Sequence, residues 1–554
     1  MGVFTALNAI VEEIANKVKE LSGVVELVSE TSVFVEVSRR NVGKYVKWLY
    51  EKGAFLKTCV GVDERIINGT FALYYIFGFD EKGLDVIVKV SSPGGGAFKS
   101  ISDVIPAAEW CELEARDLLG LHIEGHEKKP RFILPEDWPE GVYPLRKDAP
   151  YDYRPPVNIE EFRKELPRRI GVPVGPYHPV LHEPIYFELY VKRERVIDVY
   201  YRGFHVHRGI EKLAESPRFT YNDIPFLAER ICGICGFAHS SCYALAVEKA
   251  AKIDVPERAL WIRSIALEVE RIHSHLLWLG VTLHILGYDM GFMHVWRIRE
   301  PVMVFAELLT GSRKTYGIAV IGGVRRDIDE DGKRKAFEVL RSVREEFKKF
   351  VDVILSVPEV VRRASGTGVL PKDVVRALSV VGPTARGSGF KRDVRKDYPY
   401  FAYRYASFNV PVYTEGDNLA RLLVRIDEVF ESISIIEQLL DTLPKGPIMT
   451  RSYEIPPLKK AVGAVEAPRG ENVHFIITGS GKPYRWRVRA PTYANLPALK
   501  VMLKGVSLAD AFLTIASIDP CISCTDRAVV IYDVDTGSSM CTSLVERGRR
   551  YAER

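Results

Sequence analysis

The hydrophobic and polar positions divide the chain into two unlike stretches. In residues 1–137 short patterns of different period alternate. "ALNAIVEEIANKVKEL" carries apolar residues at helical spacing. "VVELVSETSVFVEVS" alternates like a pair of half-buried strands, and "NVGKYVKWLYEKG" returns to the helical period and ends at a glycine. "GTFALYYIFGF" and "GLDVIVKVSS" follow as strands. The pattern predicts a small α+β domain over 1–138, with a ferredoxin-like topology. Ten prolines then fall between Pro139 and Pro184. Proline at that density forbids long helices and central strands, so 139–172 reads as an extended connector.

Beyond residue 172 the patterns lengthen. "IYFELYVKRERVIDVYYRG" predicts a hairpin, and helical periodicity runs over roughly 223–251, 256–286, 333–356 and 418–443. "NVHFIITGSGKPYRWRVR" predicts a second hairpin turning at "GSGKP". "LPALKVMLKGVSLADAFLTIAS" predicts a last helix that runs into "IDPCISC". The fold class expected is therefore multidomain, a small α+β domain followed by a mainly α-helical domain with a small β-sheet.

Composition narrows the possibilities. A chain of 554 residues, 47% hydrophobic, can bury the cores of two or three domains. Its net charge of +5 is near balance, and no basic stripe with interleaved aromatics occurs, so nucleic acid is not an expected partner. The N-terminus lacks the uninterrupted apolar run of a signal peptide, and no run reaches the roughly 18 residues of a membrane span. The expectation is a soluble protein, or one attached to a membrane through partners. Ten Asn and one Gln beside abundant Lys, Arg and Glu fit selection against thermolabile amides at high temperature.

The eight cysteines are too sparse for a disulfide scaffold. Four form two CxxC pairs, "CGIC" at 232–235 and "CISC" at 521–524; Cys59, Cys111, Cys242 and Cys541 read as buried small hydrophobes. Two CxxC pairs can hold one metal through four thiolates. Their wide separation argues against a local zinc knuckle, but a fold-assembled zinc site, an iron–sulfur cluster and other soft-metal sites all remain open on spacing alone.

The flanking residues add more. The first pair stands in R-x-C-G-x-C-x-x-x-H, with Arg230, Cys232, Gly233, Cys235 and His239; the second in D-P-C-x-x-C-x-x-R, with Asp519, Pro520, Cys521, Cys524 and Arg527. Together they resemble the two signature motifs of the [NiFe]-hydrogenase large subunit. "GPYHPVLHEP", "RGFHVHRGIEKL" and "YTEGDNLARLLVRIDEV" are similar to the branch of that family related to the quinone-site subunit of respiratory complex I. "EWCELEARDLLGLHIEGHEKKPRFILPEDWPEGVYPLRKD", residues 109–148, resembles the signature of complex I's neighbouring small α/β subunit. The chain thus looks like a fusion similar to the large subunit of formate-hydrogenlyase-type, group 4 hydrogenases, over essentially its whole length.

That resemblance implies a large-subunit domain over 173–527 and a Ni–Fe centre whose iron carries CO and cyanide. Cys232 and Cys521 would be terminal nickel ligands, and Cys235 and Cys524 would bridge to iron. The Cys521 thiolate would take the proton released from H2, and Glu183 would accept it next. His239 would hydrogen-bond a sulfur, with Arg230 beside it in the cofactor-binding set. Arg469 would stand over the open metal position with Asp519 as its neighbour, and Glu211 would serve an additional Mg or Fe. Cleavage after Arg527 would remove 528–554.

With its spare cysteines scattered, the chain has no iron–sulfur cluster of its own. Electrons would leave through an iron–sulfur small subunit resembling complex I's terminal cluster subunit. Ferredoxin-like and antiporter-like membrane subunits would complete the complex on the cytoplasmic, inner face of the cell membrane. A maturation endopeptidase and nickel chaperones would act on it earlier. The alternative is a complex I-like quinone or ferredoxin oxidoreductase subunit without NiFe chemistry. Retention of all four cysteines together with Arg469, Asp519 and Glu183 argues against it.

Overall fold

The computed structural model describes residues 2–29, 31–135, 138–151, 153, 172–175, 183–204, 207–526, 531–532 and 539–540. Its N-terminal part runs α1 (Gly2–Glu20), β1 (Val24–Ser29), β2 (Ser32–Glu36), α2 (Val42–Glu51), β3 (Phe55–Glu64), β4 (Thr70–Phe79), β5 (Leu84–Pro93) and α3 (Ala108–Leu119). The strands form one sheet in the order β1-β2-β5-β4-β3, with β2 parallel to β5 and the other pairs antiparallel. This is not the ferredoxin-like arrangement. That topology needs two helical crossovers, whereas here β3, β4 and β5 fold back on one another through short turns. One of these turns ends at Gly83, whose φ of 59° favours a residue without Cβ.

β1, expected to be half-buried, is exposed along nearly its whole length, while β3, β4 and β5 are buried at almost every position. The sheet is covered on both faces, and β1 lies at its edge. One face holds Val35, Leu73 and Tyr75 against Ile14, Tyr45 and Leu118 of the helices. The other holds Phe34, Val60, Tyr74 and Ile87 in the same core as the second half of the chain, where the Tyr74 ring lies 5.4 Å from that of Phe475. Buried ion pairs cross the same contact. Glu471 meets Lys57 at 3.6 Å, Arg392 at 2.8 Å and the Arg489 guanidinium, and Arg392 reaches Asp80 at 2.6 Å.

The second half begins with a three-stranded sheet, β6 (Val172–Val174), β7 (Tyr186–Lys192) and β8 (Arg195–Arg202); β7 and β8 are the expected hairpin. The helical pattern over 223–251 proves to be two helices, α4 (Ile224–Glu229) and α5 (Gly236–Ala251), parted by the loop that carries the first cysteine pair. α6 (Glu257–Ile285) is buried on nearly every side, as a central helix must be. It packs against α7 (Asp289–Thr310), a helix absent from the expected set. Pro301 lies inside α7, and Met290, Met293, Val304 and Leu308 are exposed on it, so apolar residues occur all round and blur the period.

α8 (Glu330–Leu355) and α9 (Asn418–Asp441) start where local chemistry dictates, with Asp329 and Asp417 accepting backbone N–H bonds at 2.7 and 2.8 Å. The second expected hairpin is β10 (Gly470–Thr478) with β11 (Pro483–Arg489), and β9 (Lys460–Ala467) completes an antiparallel sheet. α10 (Leu508–Ser517), capped by Ser507, delivers the second cysteine pair. Most of the proline-rich stretch 139–172, Arg527 and most of 528–554 lie outside the described residues. Among the described residues no helix is long and apolar enough to cross a membrane.

Candidate metal centre

The two CxxC pairs meet in the interior. Cys232 and Cys235 sit in the loop between α4 and α5, and Cys521 and Cys524 follow α10; all four side chains are buried. Sγ–Sγ distances are 2.9 Å between Cys232 and Cys235, 2.9 Å between Cys521 and Cys524, and 3.5 Å between Cys232 and Cys521. Cys232, Cys235 and Cys524 form the group of metal-ligating atoms found within 4.8 Å of one another among the described residues.

Burial opposes the ionised form of Cys232, but hydrogen bonds from the other three thiols and the nearby Arg469 charge hold its pKa well below the usual thiol value. The bonds to Cys232 push Cys235 and Cys521 up, and burial does the same to Cys524. Four buried, convergent sulfurs fit a soft or borderline metal, and loading one displaces thiol protons.

Arg469, on the turn between β9 and β10, is buried beside this cluster. Its Nη2 donates to Asp519 Oδ1 at 2.8 Å, Nε to the Asp519 carbonyl at 2.8 Å and Nη1 to Ser274 Oγ at 3.2 Å. Gly382 lets the backbones meet here, since a Cβ on it would lie 2.3 Å from the Arg469 carbonyl oxygen.

Glu183 reaches the second pair from the start of the β7 hairpin. Its carboxylate accepts from the Ile522 and Ser523 backbone N–H groups and from the Ser523 hydroxyl, directly after Cys521. His239 is fully buried on α5. Trp486 Nε1 donates to His474 Nδ1 at 3.2 Å, so His474 carries its proton on Nε2 and donates to His239 Nδ1 at 3.3 Å. His239 Nδ1 therefore accepts, which places the His239 proton on Nε2.

Two expected site residues stand elsewhere. Arg230 has a side chain 59% exposed, pairs with Glu229 at 3.1 Å and lies over the Tyr316 ring, so it is not brought to the sulfurs. Glu211 is buried, but Arg485 lies 2.9 Å from it, Arg487 at 3.5 Å, and the Val488 N–H donates to it at 3.0 Å. Its carboxylate is thus a counter-charge to two arginines of β11.

Other residues around the two pairs carry no motif. Glu270 on α6 is fully buried and accepts from Phe237 N at 2.8 Å and Ala238 N at 2.9 Å, capping α5 from another helix. Burial pushes its pKa up to about 8. Thr492 Oγ1 accepts from Cys521 N at 3.1 Å. Contacts across tens to hundreds of positions leave no local spacing to read.

Comparison with known proteins agrees with this geometry. The family model of the respiratory-chain NADH dehydrogenase 49 Kd subunit matches residues 286–461 and 453–527, and that of the 30 Kd subunit matches 35–155. The model of nickel-dependent hydrogenase matches 208–289. Formate hydrogenlyase subunit 5 of Escherichia coli (strain K12) is 45% identical over 511 residues, covering 90% of this chain and 89% of the relative. Hydrogenase-4 component G of the same organism is 43% identical, covering 87% and 85%. A solved chain of the membrane-bound sulfane sulfur reductase, an archaeal respiratory membrane complex, superimposes with a TM-score of 0.62 at 33% identity, covering 64% of this chain and 98% of the other.

These matches define a class of large subunit shared by complex I and the nickel-dependent hydrogenases, with a 30 Kd-type domain fused ahead of it. Within that class, the chain belongs to the formate-hydrogenlyase-type, group 4 family of [NiFe]-hydrogenase large subunits.

Proposed function

We propose that the chain catalyses the interconversion of protons, electrons and H2 at a nickel–iron centre held by Cys232, Cys235, Cys521 and Cys524. The convergence of four buried thiols from distant parts of the chain carries this reading. When bound, the centre supplies the redox chemistry that breaks and forms the H–H bond, with CO and cyanide on its iron. The protein supplies the rest. Burial keeps bulk water from the sulfurs, and Asp519 fixes the Arg469 cation beside them. Cys521 takes the proton. Glu183, bonded to the two backbone N–H groups that follow Cys521, is the next acceptor.

Electrons pass to a partner, and the first cysteine loop points to the exit. Gly233 is exposed although Cys232 and Cys235 on either side are buried. An iron–sulfur small subunit docks there in this reading. Ferredoxin-like and antiporter-like membrane subunits complete an energy-converting complex, and the chain is held at the inner face of the membrane through them. The names of the relatives, subunits of hydrogenases and of a respiratory membrane complex, support that setting. Nickel chaperones load the site, and an endopeptidase then removes residues 528–554.

The test is infrared spectroscopy with nickel and iron quantification and intact mass on the natively purified complex. CO and cyanide stretching bands with nickel in a chain ending at Arg527 are expected. A chain ending there that holds zinc, or no nickel, would sink the reading. Bands from a chain that retains 528–554 would remove the maturation step alone.

A further inference from the structure

The loop carrying Cys232 and Cys235 is gripped by four consecutive residues that follow α7. Lys314 Nζ donates to the Gly233 carbonyl at 3.1 Å. Thr315 Oγ1 donates to Glu270 Oε2 at 3.1 Å, and the same carboxylate caps α5 directly after Cys235. The Tyr316 hydroxyl donates to the Cys232 carbonyl. Gly317 N donates at 2.7 Å to Glu229 Oε1, at the end of α4 just before the loop. Each residue from 314 to 317 therefore touches the metal-binding loop or a carboxylate at one of its ends.

Two features show that this grip is built in. Thr315 is fully buried at φ 60°, a conformation that strains a β-branched residue and persists only where neighbours over-determine it. A Cβ on Gly236 would lie 2.3 Å from Tyr316 Cε1 and 2.8 Å from the Glu229 carbonyl oxygen, so the seat of the tyrosine ring is made by the absence of a side chain.

The chemistry follows from the planarity of the peptide unit. The Ile234 N–H donates to Cys232 Sγ at 3.3 Å, and the Cys235 N–H donates to it at 3.0 Å. The Ile234 N–H and the Gly233 carbonyl belong to one rigid peptide plane. A donor holding that carbonyl also aims that N–H. Hydrogen bonds to a metal-binding thiolate withdraw electron density from it and so tune the metal.

We propose that Lys314–Gly317 is a positioning clamp that orients the 233–234 peptide toward Cys232 Sγ and thereby sets how strongly this thiolate donates to the metal. The inference rests on the assignment of Cys232 to nickel, but its geometry can be tested without metal.

The experiment has two arms, each with Lys314→Met, Tyr316→Phe and Lys314→Arg. In the metal-free full-length chain, amide exchange at Ile234 and Cys235 is expected to quicken about five- to tenfold in Lys314→Met, the loss of one hydrogen bond, and by less in Tyr316→Phe, whose hydroxyl holds the neighbouring 232–233 peptide. Lys314→Arg, which keeps a donor, is expected to restore protection. In the natively purified complex, Lys314→Met is expected to shift the CO and cyanide bands to lower wavenumber while nickel content holds. Unchanged exchange at Ile234 and Cys235 in Lys314→Met, in a chain with native circular dichroism, overturns the clamp. So do bands superimposable on those of the parent complex. A parent complex without nickel would overturn the functional reading, and the exchange arm would still decide the clamp.

Discussion

Arg469 holds Asp519 by both its side chain and its backbone, with Nη2 on Oδ1 and Nε on the carbonyl oxygen, each at 2.8 Å. Asp519 presents both oxygens because its φ is 54°, a left-handed conformation that aspartate tolerates better than most residues. Asp519 is two positions before Cys521, so the Arg469 cation is fixed beside the sulfurs.

Lysine at position 469 would keep the charge but offer no planar fork to bridge those two acceptors. Arg469→Lys is expected to lower H2 turnover about 100-fold, the scale seen for a lost preorganised donor. Nickel content should stay at the parent level. Parallel loss of nickel and activity would mean that the pair only holds the loop together.

Glu183 distinguishes proton relay from anchoring. Glu183→Gln is expected to slow turnover by about 10²–10⁴, the range for a lost acid–base group. Hydrogen–deuterium exchange into H2 should fall with it while the infrared bands persist. If the bands vanish instead, the carboxylate matters as the cap on the Ile522 and Ser523 N–H groups.

His275 gives a pH dependence with a definite sign. Burial lowers its pKa from 6.5 to about 4, although Glu428 lies 2.7 Å from Nε2 and favours the charged form. Between those values the unfolded chain binds a proton that the folded chain refuses. Stability contributed here is therefore full above pH 6.5 and is lost as pH falls toward 4. The expected loss is on the order of 3 kcal/mol. Urea midpoints of the parent and of His275→Gln should diverge below pH 6.5, the parent falling faster. Parallel curves would show that the imidazole accepts its proton normally.

Glu471 is the carboxylate that Lys57, Arg392 and Arg489 share at the contact between the two halves. Neutralising it removes the carboxylate paired with the buried Arg489, while Lys57 keeps Asp85 and Arg392 keeps Asp80. Glu471→Gln is expected to destabilise the chain by about 3–5 kcal/mol. Limited proteolysis should then release fragments between residues 136 and 183 that the parent does not yield. A variant as resistant as the parent would mean that apolar contact alone holds the halves.

The sequence was legible where chemistry depends on local spacing. Cys232, Cys235, Cys521, Cys524, Asp519 and Glu183 lie in short motifs, and the structure brings them to one place with Arg469. The long helices were legible because their apolar period survives burial of one face. Reading failed where the tertiary environment overrode local pattern. α7 bears apolar residues on its exposed side, and β1 alternates but stays exposed at a sheet edge. Arg230 sits in the same motif as the cysteines yet turns outward over Tyr316. The pairing of Glu211 with Arg485 and Arg487, more than 270 positions away, has no local signal. Glu270 and Lys314–Gly317 were invisible, because their partners are brought near only by the packing of α6 and α7 against the loop.

The shared face of the N-terminal sheet also bears on synthesis. Phe34, Val60, Tyr74 and Ile87 leave the ribosome long before Phe475 and Trp486, which belong to the core that covers them. At roughly 5–20 residues per second, the intervening 400 or so residues take on the order of 20–80 seconds to translate. Throughout that interval the nascent domain displays an apolar sheet with nothing of its own to place against it. The fusion of the two halves into one polypeptide guarantees that the covering surface arrives at all, in equal number and already tethered.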